Sequence, residues 1–112
     1  MALPVDQDFS LVRGDTLTFT LTINDDAGSP INITGRTYTA QVRSAPDSTT
    51  VKGTFTCTVP TGTDGKVTAV LSATASALLS PGIYFYDLQE NASGVISTLV
   101  SGNINVVADV TR

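Results

Sequence analysis

Histidine is absent from the sequence and cysteine occurs once, at Cys57. The first absence removes the side chain that most often serves as a general base near neutral pH, and the commonest metal ligand. The second leaves Cys57 with no imidazole to activate its thiol. A zinc site would have to be built from carboxylates, an uncommon donor set. No glycine-rich phosphate loop of the Walker or dinucleotide type occurs. Carboxylates are what remains. Asp25 and Asp26 adjoin, but within Asp25-Asp26-Ala27-Gly28-Ser29-Pro30, where aspartate serves the backbone of a turn. Calcium needs six or more oxygens from a spaced set, and nothing in the spacing of Asp6, Asp8 and Asp15 requires them to converge. This inventory predicts a non-enzyme with no catalytic residue, no cofactor and no metal.

Shorter motifs read as architecture. Arg13-Gly14-Asp15 spells the tripeptide that integrins bind, but Gly14 also lets the chain turn before the strand that follows. Asn32-Ile33-Thr34 and Asn91-Ala92-Ser93 match glycosylation acceptors and read here as exposed turns. Cys57 alternates with Phe55 and Val59, as a small core hydrophobe would.

Charge narrows the partners. The net charge is −4, and the six basic residues are scattered rather than clustered. Displacing counterions from phosphates, or adhering to anionic lipid, needs a basic footprint. No nucleic-acid or membrane partner is therefore expected. Met1 to Asp6 shows neither a basic stretch nor a long apolar run, which predicts no signal peptide or span. The initiating Met1 suggests a complete short gene product, made or assembled in the cytosol.

The residues that remain must be positioned by strands. Leu17, Phe19, Leu21 and Ile23 alternate with Thr16, Thr18, Thr20 and Thr22, a period of two with one dry face and one wet. Similar runs follow at Tyr38–Val42, Val51–Val59, Val67–Leu71, Ile83–Glu90, Val95–Val100 and Ile104–Val110. Turns separate them, including Asp64-Gly65 and Asn91-Ala92-Ser93-Gly94. Gly102 is expected to mark a bulge or bend. Residues 73–79 predict one helical turn before Pro81-Gly82. The sum, with 41% apolar residues over 112 positions and no disulfide available, predicts an all-β domain. The pattern suits an immunoglobulin-like sandwich or a small barrel, and the favoured expectation is an immunoglobulin-like antiparallel β-sandwich of seven to eight strands, spanning residues 9–112 behind an N-terminal arm of residues 1–8.

Apolar residues occur on both parities of the last strands. Ile83 and Phe85 oppose Tyr84, Tyr86 and Leu88. Leu99 and Val107 oppose Val100 and Val106. A second dry face implies a covered edge or a patch for a partner. Leu3, Pro4 and Val5 form a short apolar segment placed to lie across a neighbour. The expected partner interface is therefore Leu3, Pro4, Val5, Ile83, Phe85, Leu99 and Val107.

Several segments carry a resemblance. They are Phe9-Ser10-Leu11-Val12-Arg13-Gly14-Asp15-Thr16-Leu17, the turn and short strand from Asp26 to Gly35, Val42-Arg43, Asp64-Gly65-Lys66-Val67, and Leu78-Leu79-Ser80-Pro81-Gly82-Ile83-Tyr84. Together they resemble the small immunoglobulin-like virion domains of tailed bacteriophages, and are similar to the N-terminal domain of the baseplate upper protein family. That resemblance implies a virion structural protein without enzymatic activity. Family members carry a long C-terminal extension, whereas this chain stops at Arg112. The resemblance therefore points to an accessory that decorates or cements a capsid, with other phage virion proteins as partners, a homo-oligomer possible, and assembly in the host cytoplasm. A tail, baseplate or fibre adaptor is the alternative within that class. A receptor- or glycan-binding module is the alternative outside it.

Overall fold

Leucine, phenylalanine and threonine alternating over Leu17–Thr22 leave a strand no reason to bend. They pair in register with Lys66–Leu71, from Leu17 opposite Leu71 to Thr22 opposite Lys66. The structure, a computed structural model, describes residues 5–25 and 27–110. In chain order its strands are β1 (Val5–Asp6), β2 (Phe9–Val12), β3 (Leu17–Thr22), β4 (Thr37–Arg43), β5 (Gly53–Thr58), β6 (Lys66–Leu71), β7 (Gly82–Ala92) and β8 (Val95–Val107). A short helix, α1 (Ala73–Ala77), precedes β7. The chain is an immunoglobulin-like β-sandwich.

One layer runs β1/β2–β8–β7–β4, and the other runs β6–β3. β5 belongs to both. Its first half pairs with β4 (Val42 with Gly53, Ala40 with Phe55) and its second half with β6 (Thr56 with Val70, Thr58 with Thr68). β1 and β2 lie parallel to β8, while every other strand pair is antiparallel.

Strand alternation fills the space between the layers. Ala40 and Val42, Val67, Ala69 and Leu71, Tyr84, Tyr86 and Leu88, and Val100, Ile104 and Val106 all point inward and are buried. Burying a side chain such as Leu88 contributes about 2 kcal/mol. Phe19 stands at the centre of an aromatic group, with ring centroids 5.3 Å from Phe9, 5.5 Å from Phe55 and 5.8 Å from Tyr86. Such pairs add to the area term because ring edges meet ring faces.

The ends of the sandwich are closed by hydrogen bonds. The expected helical turn is α1, capped where Ser72 Oγ accepts the Ala75 amide (3.1 Å). Ser76, fully buried, donates from Oγ to the Asp15 carbonyl (2.6 Å) and accepts the Gly14 amide (3.0 Å). A tyrosine fastens the following corner, with Tyr84 Oη donating to the Ser80 carbonyl (2.8 Å). The hairpin from Asn91 to Gly94 turns through Ser93 and Gly94, both at positive φ (52° and 89°). That geometry matches the twist of the flanking strands.

Three expectations change. The bulge lies at Leu99, not Gly102: Leu88 pairs with Val100 and Gln89 with Thr98, so Leu99 is the extra residue. The segment before Phe9 is not wholly a separate arm. Val5 pairs with Val100 and Asp6 with Ser101, in the offset that β2 continues from Phe9–Ile104 to Val12–Val107. Ile31 and Ile33 form no strand, and Ile33 plugs the end of the core with its amide on the Gly62 carbonyl (2.9 Å).

Gly102 has a different task. Between β1 and β2 the chain crosses it at Gln7–Asp8. The Gln7 amide donates to the Ser101 carbonyl (2.9 Å), Tyr86 Oη donates to the Gln7 carbonyl (2.6 Å), and the Asp8 carboxylate accepts the Asn103 amide (2.9 Å). A Cβ on residue 102 would overlap the Gln7 carbonyl.

Candidate functional site

The outward residues of β2, β8, β7 and β4 form a broad sheet face with an apolar end and a polar end. At the apolar end Val12 pairs with Val107, and Ile83 sits diagonally across from Val107 on β7. These three side chains are 41%, 41% and 53% exposed. Phe85, half-buried, is the next outward residue along β7.

Beyond Phe85 the face dips into a trough of about 400 Å³ lined by Gln41, Arg43, Pro46, Asp87 and Asn103, with Asp6 at its rim. A second depression of about 500 Å³ continues it under the loop at Pro46–Thr49. Arg43 ties that loop to the sheet: Nη1 donates to the Ser48 carbonyl (2.8 Å) and Nη2 to Gln41 Oε1 (2.9 Å). Burial pushes the Asp87 carboxyl above its ordinary range, and the nearby Arg43 guanidinium only partly offsets this.

The raised value fixes a sign. Folding favours the protonated acid, so any stability from this group is present below the unfolded pKa and lost as pH rises through the folded one. Asp87→Asn should therefore melt at or above the wild-type temperature at pH 7, and the difference should shrink on acidification toward pH 3. Thermal unfolding across that range checks it, and an Asn variant destabilised at pH 7 but not at pH 3 would contradict it.

Of the seven expected interface residues, the structure brings Ile83, Phe85 and Val107 together on this face. Leu99 is not among them. The bulge reverses its parity, and it is buried in the core at 6% exposure. Leu3 and Pro4 lie outside the described residues, and Val5 is held in β1 opposite Val100. Sequence reasoning missed Val12, although its place one residue after the inward Leu11 was a signal. It also missed Gln41 and Arg43 on β4 and Asp87 on β7, which are distant in sequence and meet only through the pairing of those two strands.

The other motifs serve the scaffold. Arg13 Nε donates to the Leu79 carbonyl (3.1 Å), and its Nη1 lies 3.4 Å from Asp109. Asp25 Oδ1 accepts the amides of Ala27 and Ser29 (both 3.0 Å), and Asp26 lies outside the described residues. Asn32 Oδ1 accepts the Thr34 amide (3.0 Å), and Asn91 Oδ1 the Gly94 amide (2.9 Å). Cys57 is half-buried, and burial pushes its thiol pKa up.

No family model matches the chain, and no curated protein matches it either. Solved structures similar to it include a family 123 glycoside hydrolase from Clostridium perfringens, at 13% identity and a TM-score of 0.44. That likeness covers 96% of this chain and 24% of the hydrolase, so the chain spans about a quarter of that protein. Another is the extracellular fragment, with its stalk region, of novel immune-type receptor 11 from Ictalurus punctatus. It is 13% identical with a TM-score of 0.40, over 100% of this chain and 90% of that one. Neither is close enough to speak to activity or partners, and the fold assignment rests on the chain's own strand order.

Proposed function

We propose that this domain is a structural accessory of a tailed-phage virion, a capsid decoration or cement protein that binds another virion protein through the outer face of β2, β8 and β7. The observation that carries the reading is the row Val12–Val107–Ile83 leading to Phe85. Apolar side chains at adjacent ladder positions gain free energy when another protein covers them. The resemblance of the Phe9–Leu17 and Leu78–Tyr84 segments to small virion domains supplies the kind of partner. A tail or baseplate adaptor would use the same face, and immunolabelling of particles separates head from tail.

The test uses particles of the phage or prophage whose genome carries the gene. The protein should be present in purified particles by mass spectrometry. Purified domain should co-sediment with particles lacking it, and Ile83→Asp/Val107→Asp should reduce that binding roughly a hundredfold while the domain stays folded. Absence from the particle, or full binding by the double variant, would overturn the reading.

The trough supports a second reading, a receptor- or glycan-binding module. There Phe85 offers a ring beside the amides of Gln41 and Asn103 and the carboxylate of Asp87, groups suited to hydroxyl-rich ligands. Hits on a glycan array that Asp87→Ala abolishes would favour it.

A further inference from the structure

β3 pairs with β6 along one side, and no described strand pairs with its other side. Edge strands are ordinarily guarded by lysine, proline, a bulge or an inward charge. Leu17–Thr22 contains none of these. The opposite edge of the molecule differs, because β1 and β2 are interrupted at Gln7–Asp8 and a carboxylate is turned into the ladder. Leu17, Phe19 and Leu21 are only half-buried, although their partners Leu71, Ala69 and Val67 on β6 are wholly buried. The open side of β3 therefore leaves apolar surface and a row of backbone groups without a strand partner.

The sequence says what fits there. Thr16-Leu17-Thr18-Phe19-Thr20-Leu21-Thr22 reads the same in both directions about Phe19. When two copies lie antiparallel about a twofold axis at Phe19, each residue meets its own kind. Leu17 meets Leu21, Thr18 meets Thr20, and Thr16 meets Thr22 of the second copy. No charge is opposed, and a twofold contact closes on itself. The fold already contains such a threonine pair across a ladder, with Thr20 Oγ1 and Thr68 Oγ1 3.4 Å apart. We propose that two copies of this chain join edge to edge through β3. They form one continuous layer that runs β5–β6–β3 in one copy and β3–β6–β5 in the next. This pairing leaves the outer face of β2, β8 and β7 uncovered, so it stands or falls independently of the partner argued above.

Sedimentation equilibrium of the full chain tests it. The wild-type mass should rise with concentration toward twice the 11.6 kDa of one chain. Thr18→Lys/Thr20→Lys and Thr18→Glu/Thr20→Glu each place like charges opposite one another on the exposed side of the strand. Each should weaken self-association roughly tenfold or more. An equimolar mixture of the two variants should recover the dimer mass, because every facing pair is then opposite in charge. Thr18→Glu/Thr20→Lys, which satisfies its own copy, should dimerise at least as well as wild type. Circular dichroism reports whether each variant is folded. A wild-type chain that stays monomeric up to its solubility limit, a dimer that both like-charged variants retain, or folded variants that fail to associate on mixing would overturn the proposal.

Discussion

Arg36→Met should destabilise the domain by about 3 kcal/mol, because it strands a buried carboxylate. The Glu90 side chain is 4% exposed, on the inward parity of β7 with Tyr84, Tyr86 and Leu88. Its Oε2 accepts Tyr38 Oη at 2.7 Å and lies 3.3 Å from Arg36 Nη1. Tyr38 is the register partner of Glu90, and Arg36 reaches the site from the turn just before β4. Burial, reinforced by the bond to Glu90, pushes the Tyr38 hydroxyl well above the ordinary tyrosine range, so it remains a neutral donor. Without the guanidinium the carboxylate keeps one neutral hydrogen bond, and a buried unpaired charge costs about 3–5 kcal/mol. Arg36 is 31% exposed, which places the effect near the lower end. Arg36→Met/Glu90→Leu removes both charges and should regain most of the loss, giving a coupling that a double-mutant cycle in urea measures directly. A cost for Arg36→Met below about 0.5 kcal/mol would show that the pair is a surface ion pair in effect.

Gly102→Ala should displace the Gln7–Asp8 crossing at a cost of about 3 kcal/mol. The added Cβ overlaps the Gln7 carbonyl, a backbone group that cannot swing aside like a flexible side chain. Moving it breaks the bonds from Tyr86 Oη and from the Gln7 amide, and draws Asp8 away from the Asn103 amide. Hydrogen exchange should therefore accelerate at Gln7 and Asn103 well before it does in β4 and β6. Unchanged protection at those two amides would mean that the crossing tolerates a side chain. Tyr86→Phe removes one of the same bonds without the overlap, so it should show a milder version of the same exchange pattern.

Strand positions were legible because alternation is a local signal. Leu17–Ile23, Tyr38–Val42 and Tyr84–Leu88 each declared a dry face, and each turns the expected parity toward the core: Ile23, Ala40, Val42, Tyr84, Tyr86 and Leu88 are buried, and Leu17, Phe19, Leu21 and Tyr38 pack half-buried against them. The reading failed where one residue changes parity. Leu99 reads as outward only while β8 is assumed to be regular, and the bulge that buries it depends on how β7 and β8 pair. Short strands were also illegible: Phe9–Val12 has four residues, too few for a period to stand out. The trough was hidden for another reason. Gln41, Asp87 and Asn103 are ordinary outward polar residues, and only the pairing of β4, β7 and β8 makes them neighbours. Glu90 could have been found, since a carboxylate on the inward parity of an apolar strand demands a buried partner.

The parallel run of β1 and β2 against β8 has a mechanical consequence. The chain enters this ladder at Val5 and leaves it at Val107, at opposite ends of two neighbouring strands that point the same way. Tension applied between the two termini therefore slides one strand along the other and strains all of their cross-links at once, instead of peeling them apart in turn. A domain loaded in this way is expected to give way at a higher pulling force than one whose end strands peel apart bond by bond.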